Sequence, residues 1–174
     1  EKFSNSFKTS LADFSYLSVR EKDGADSLSK VLDRNVDVVL DPTLLLTSEQ
    51  WQKMMVPVNG ITGKYIFCYL FGNYKYIQEV KSKVKELTGL HVISLPYNLR
   101  ELNSDDQLLY DVSPCQFVWL IANATYVLTD SFHASVFSIK MNTPFITLKR
   151  SSNKDKKNMN SRIYTLLQLV NLEN

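Results

Sequence analysis

Several features that would place this chain in a familiar class are missing from its sequence. No apolar run approaches the roughly 18 residues that a membrane-spanning helix requires. The only cysteines, Cys68 and Cys115, lack CxxC spacing, and the only histidines, His91 and His133, are far apart. A disulfide framework, a zinc site and other metal centres therefore have no ligand pattern behind them. Neither GxGxxG nor GxxxxGK[ST] occurs, so the usual dinucleotide and phosphate loops are unsupported, and no cofactor is expected. Charge of one sign is also scarce. The 20 Lys and Arg against 18 Asp and Glu leave a formal net charge of +2, too little to call for a nucleic acid partner. Unpaired cysteines suit a reducing, cytoplasmic setting. The chain opens on Glu1-Lys2-Phe3-Ser4 with neither Met nor an apolar leader, which predicts a piece of a larger protein.

What is present alternates between strand and helix patterns. SYLSV (15–19) and VDVVL (36–40) are short strand candidates flanking a helix over 24–35, where Ala25, Leu28 and Leu32 recur at helical spacing. Asp41-Pro42 stops the second strand, because Pro42 disfavours helical geometry at Asp41. Residues 48–55 form a short helical candidate with Ser48 as its cap, and Pro57, Gly60 and Gly63 then interrupt the pattern.

The apolar run YIFCYLF (65–71) predicts a strand, with Cys68 as a small buried thiol, and Ile77, Val80, Val84 and Leu87 predict a helix over 74–89 ending at Gly89. HVISLPY (91–97) is a strand, with His91 structural, followed by a polar loop over 98–113. Ser113 and Pro114 are suited to the N-cap and first position of a helix over 113–124. TYVLTD (125–130), a helix over 131–142, PFITLK (144–149) and a helix over 161–171 complete the chain.

Strands joined by helices of this length pair in parallel through right-handed crossovers. Near-continuous apolar strands predict cover on both faces. The expectation is a doubly wound α/β fold with a mostly parallel sheet and helices on both sides.

Ligands of open α/β sheets bind beyond the carboxyl ends of the strands, beside helix N-termini. TDSFHA (129–134) puts Asp130, Ser131 and His133 where a strand runs into a helix. A histidine there can transfer a proton or donate to an anion, although the same spacing equally suits a helix cap and a packed His133. Lys149 and Arg150 follow the strand PFITLK, with one of them expected to face the cleft. Lys154, Lys156 and Lys157 read as a solvated loop, and Ser161 with Arg162 begins the last helix. Arg20 ends SYLSVR, where it either binds an anion or pairs with a neighbouring acid.

SVRE (18–21), VVLDPTLLL (38–46), FVWLIANATYVLTDSFHASVFSI (117–139), PFI (144–146) and SRIYTLL (161–167) stand in the order seen in the polysaccharide pyruvyl transferases, which the chain resembles. Ala134 stands where that family usually has Gly, and Cys115-Gln116 where a Glu is common. The resemblance implies one half of a glycosyltransferase-B-like, two-domain transferase. Residues 1–50 would close a first, acceptor-side domain, 51–63 would link, and 64–174 would form the donor-binding domain, the rest of the first domain lying outside this sequence. The implied partners are phosphoenolpyruvate as co-substrate and a saccharide or lipid-linked glycan, in a bacterial cell-surface polysaccharide pathway.

On that resemblance, His133 would act as general acid/base, with Asp130 orienting it or the helix. Arg20, Ser131, Lys149, Arg150, Ser161 and Arg162 would hold the donor. The alternatives are a transferase of like architecture using a nucleotide sugar, and a non-catalytic glycan-binding or scaffold domain.

Overall fold

A computed structural model describes residues 2–72, 75–97, 105–150 and 160–172, with the side chains of residues 2–4 and 161 excepted. The chain divides into two compact units, Glu1–Leu45 and Leu46–Asn174.

The first unit contains helices α1 (Lys2–Leu11) and α2 (Lys22–Leu32) and strands β1 (Ser18–Val19) and β2 (Asp37–Val38), with a 3₁₀ turn at Pro42–Leu44. The two strands pair in parallel, Ser18 opposite Asp37 and Val19 opposite Val38. They are shorter than the sequence predicts, and α1 carried no sequence signal. Ala25 is buried at the head of the Ala25, Leu28 and Leu32 stripe that motivates α2. Asp33 ends that helix in the left-handed conformation at φ 53°.

The second unit begins with α3 (Ser48–Met54). Its N-cap is Thr47 rather than Ser48. The Thr47 hydroxyl accepts from Gln50 N at 3.2 Å, and the Gln50 side chain accepts from Thr47 N at 2.8 Å. The Ser/Thr-x-x-Glu/Gln capping box thus starts one residue earlier, with Gln50 as its third position. Trp51, Met55, Val58 and Ile61, all in the stretch read as a linker, pack against the core of this unit.

The strands β3 (Tyr65–Tyr69), β4 (His91–Ser94), β5 (Gln107–Leu108), β6 (Tyr126–Thr129) and β7 (Phe145–Thr147) form one sheet in the order β5-β4-β3-β6-β7. Every pairing in it is parallel. β5 lies within the span read as loop, and only Gln107 and Leu108 carry it.

Side chains alternate across the sheet, as a period of two requires. Tyr65, Phe67, Ile93 and Val127 face one side and pack with α5 (Pro114–Asn123) and α6 (Phe132–Lys140). Ile66, Cys68, Val92 and Leu128 face the other and pack with Ile77 of α4 (Lys75–Thr88). Both faces are covered, which is why these strands read as unbroken apolar runs. The last helix, α7 (Ser161–Leu169), contacts α6. Among the described residues, no helix is long and apolar enough to cross a membrane.

One sequence expectation changes along α4. Leu87, assigned to the apolar stripe, is exposed, whereas Lys81 is buried. Lys81 forms an ion pair with Asp106, whose carboxylate also accepts from Ser94 Oγ at 2.9 Å. A buried cation needs such a partner, and here it ties the segment leading into β5 to α4 and β4.

Candidate functional site

From β3 the chain winds outward through β4 to β5, then returns to lay β6 on the other side of β3 and β7 beyond it. The direction of winding therefore reverses between β3 and β6. At the carboxyl ends of these two strands lies a cavity of about 400 Å3. A larger hollow of about 860 Å3 lies between α6, β7 and α7, but among the described residues no ionisable side chain lines it. Size favours the second hollow and chemistry the first, and binding a charged small molecule depends on chemistry.

Asp130, Ser131, His133, Arg150 and Arg162 all line the first cavity. Asp130 follows the last residue of β6 and is buried, with 1% of its surface exposed. Its Oδ1 accepts from Phe71 N at 2.9 Å and its Oδ2 from Gly72 N at 2.6 Å. This carboxylate joins the ends of β3 and β6, and Arg150 Nη2 lies 3.7 Å from its Oδ1. Ser131 caps α6 without a side-chain cap bond, and its N–H donates to Thr129 Oγ1 at 3.0 Å. The Ser131 N–H is thus engaged, leaving the hydroxyl as the donor this residue can offer. His133 is exposed on the first turn of α6, not packed in the core, with Phe132 edge-on at 5.4 Å. That turn brings backbone N–H groups and the positive end of the helix dipole to the cavity.

Between the two cations that follow β7, the structure makes a clear choice. Lys149 is exposed, lies 5.8 Å from the centre of the Tyr164 ring and does not line the cavity. Arg150 lines it. Its guanidinium sits over the Phe71 ring at 4.3 Å, and Nη2 donates to the Asp130 carbonyl at 3.1 Å. Its Nε is buried without a hydrogen-bond partner among the described residues. The Arg150 backbone N–H donates to Asn160 Oδ1 at 2.9 Å, which brings the start of α7, and so Arg162, back to the cavity. Ser161 opens α7, but its side chain lies outside the described residues, as do Lys154, Lys156 and Lys157.

Arg20 belongs to the first unit. It forms an ion pair with Asp41, whose side chain is 2% exposed. Asp41 in turn caps the 3₁₀ turn, accepting from Thr43 N at 3.0 Å and Thr43 Oγ1 at 2.6 Å. Of the two readings open for Arg20, pairing with a neighbouring acid is the one seen.

Sequence reasoning overlooked the aromatic wall of the cavity. Tyr69 and Phe71 meet edge to face at 4.7 Å, and Tyr69 meets Phe117 at 5.0 Å. The signal was available: residues two apart in a strand share a face, so Tyr69 and Phe71 at the end of YIFCYLF had to project together. Burial pushes the Tyr69 phenol above its usual pKa range. Arg150 opposes the shift, while Asp130 and Tyr97 add to it. Gly72 was read only as a strand stop. A Cβ there would lie 2.8 Å from Ile77 Cδ1 and 3.0 Å from Asp130 Oδ2, so any larger residue would have to displace one of these side chains.

A parallel sheet with a cation-lined cavity at its switch point defines an α/β protein of the kind that binds ligands beyond its strand ends. The chain belongs to the polysaccharide pyruvyl transferase family, a family of transferases whose model matches residues 1–152.

Among solved structures, the fold is similar to that of UDP-GlcNAc 2-epimerase from Methanocaldococcus jannaschii in complex with UDP-GlcNAc and UDP, a glycosyltransferase-B-like protein. That likeness has a TM-score of 0.52 at 18% identity and covers 80% of this chain and 47% of the other. A second structure of the same epimerase gives 0.43 at 16% identity, covering 76% and 39%. A putative UDP-N-acetylglucosamine 2-epimerase from Listeria monocytogenes gives 0.42 at 13%, covering 66% and 40%. The chain thus spans less than half the length of these structures. No curated protein matches the sequence.

Proposed function

We propose that the cavity binds phosphoenolpyruvate and that the whole protein transfers its pyruvyl group to hydroxyls of a glycan. The observation that carries this reading is the convergence of Arg150, Arg162, His133 and the first turn of α6 on one cavity at the switch point.

Phosphoenolpyruvate carries a carboxylate and a phosphate, the latter with about −1.5 to −2 charges near neutral pH. Two guanidinium groups and a helix N-terminus equivalent to roughly half a positive charge suit such a ligand. Ketal formation begins with a proton delivered to the methylene carbon, which leaves an oxocarbenium-like C2. One sugar hydroxyl adds there and gives up its proton. Phosphate then leaves with the C2–O bond pair, and a neighbouring hydroxyl adds to C2, gives up its proton in turn and closes the ketal.

In this proposal His133, exposed at the cavity, delivers the proton. Arg150 and Arg162 stabilise the carboxylate and the departing phosphate, with the Ser131 hydroxyl as a further donor. Asp130 fixes the strand ends from which these groups project. No cofactor is invoked, and the saccharide acceptor follows from the family.

The test is calorimetric titration of the protein with phosphoenolpyruvate, beside a His133→Ala/Arg162→Ala double variant and a nucleotide-sugar control. Saturable binding of phosphoenolpyruvate that the double variant loses is the expected result. Binding of the nucleotide sugar in its place would overturn the donor assignment. In the whole enzyme, His133→Ala should retain less than about a tenth of the transfer activity, within the range for loss of a general acid.

A further inference from the structure

Tyr69 ends β3 directly opposite Thr129, the last residue of β6, so it stands at the switch point itself. It shares a sheet face with Tyr65, and the two tyrosines differ in one informative respect. The Tyr65 hydroxyl is buried and donates to the Leu120 carbonyl at 2.8 Å. The Tyr69 ring is held between Phe71 and Phe117, and its hydroxyl makes no hydrogen bond among the described residues. A phenylalanine would make the same ring contacts, so packing does not account for the hydroxyl. Arg150 lines the same cavity. The guanidinium cannot turn away to solvent easily, because the Asp130 carbonyl holds Nη2 and the Phe71 ring supports its plane.

We infer that Tyr69 is a ligand-binding residue, and that its phenol O–H and the guanidinium of Arg150 together receive one oxyanion group of the bound ligand. The inference rests on reading the cavity as an anion site. It adds a neutral donor from the aromatic wall on which the Arg150 guanidinium rests. A neutral O–H contributes direction where another cation would contribute only charge, and two fixed donors on one oxyanion select its orientation. Burial keeps the phenol protonated through the neutral range, with the Arg150 charge opposing this less strongly. The oxyanion is a carboxylate or a phosphoryl group, two chemistries that separate probes distinguish.

The experiment titrates the full chain with phosphoenolpyruvate, inorganic phosphate and pyruvate, comparing the wild type with Tyr69→Phe. The substitution keeps the ring contacts, and an unchanged melting temperature checks this. A hydrogen bond to a charged group predicts a Kd for phosphoenolpyruvate raised on the order of tenfold. The smaller probe whose affinity falls with it identifies the group that Tyr69 holds. Equal binding of phosphoenolpyruvate by both proteins would overturn the role of Tyr69 and leave the donor assignment standing. Binding of phosphate or pyruvate but not phosphoenolpyruvate, weakened in Tyr69→Phe, would do the reverse. A wild type that binds none of the three would overturn both.

Discussion

Asp130 Oδ2 accepts the Gly72 N–H at 2.6 Å, so the two strands at the switch point are joined just beyond the last rung of their ladder. The neighbouring Phe71 N–H on Oδ1 completes a two-donor clasp around a carboxylate that is almost wholly buried. Asp130→Asn keeps the shape and one acceptor but turns an amide N–H₂ toward a backbone N–H. The expected loss is about 1–3 kcal/mol of stability, the cost of leaving a buried donor unsatisfied. The midpoint of urea unfolding measures it, and a variant as stable as the wild type would mean the clasp contributes nothing.

Gly72 tests the same junction from the other side. Gly72→Ala pushes a methyl group against Ile77 Cδ1 and Asp130 Oδ2, with the Arg150 carbonyl only 3.3 Å away. Overpacking of this kind costs about 1–3 kcal/mol. Because Asp130 and Arg150 are among the groups displaced, anion affinity should fall along with the thermal midpoint. A drop in stability with unchanged affinity would show that the junction and the cavity are independent.

Lys81 and Asp106 form a buried pair that does not line the cavity, and the chemistry of burial makes opposite forecasts for one substitution and for two. Lys81→Met strands the Asp106 carboxylate with only Ser94 for support and should cost about 3–5 kcal/mol. Lys81→Met/Asp106→Leu removes both charges and should recover most of that loss. A double-mutant cycle by chemical denaturation compares them directly.

Tyr65 gives the alkaline limb of stability a definite sign. Burial raises its phenol well above the ordinary value of about 10. Below that value both the folded and unfolded chains hold the proton, and the stability is fully present. Above it the unfolded chain ionises first, so stability falls as pH rises toward the folded-state value. At pH 8, Tyr65→Phe should be less stable by about 0.5–1.5 kcal/mol for its lost bond to Leu120. At about pH 11 that gap should narrow, because only the wild type loses the linked contribution. Unfolding midpoints at the two pH values provide the comparison.

The legible parts of the chain were those where a local rule and the tertiary fold agreed. Ser113 and Pro114 begin α5 as expected, with Gln116 completing the box, and TDSFHA sits at the strand-to-helix junction assigned to it. β5 escaped notice because Gln107 and Leu108 are too few to establish a period; their pairing with β4 alone makes them a strand. The exposure of Leu87 and the burial of Lys81 escaped notice for a similar reason. Helical spacing names a stripe, but Asp106, distant in sequence, decides which residue on its border can be buried. Lys149 and Arg150 were inseparable as neighbours in sequence, and the Phe71 ring and the Asp130 carbonyl separate them in space. Arg20 was equally poised between an anion and an acid until Asp41 was seen beside it.

The bond from Arg150 N–H to Asn160 Oδ1 also has a consequence for how this sequence can vary. The chain returns to within a hydrogen bond of the point it left, so the two ends of the intervening segment are fastened irrespective of its length. The residue at position 160 is therefore narrowly restricted: a side chain without an acceptor there would release the Arg150 backbone and with it the start of α7, from which Arg162 reaches the cavity.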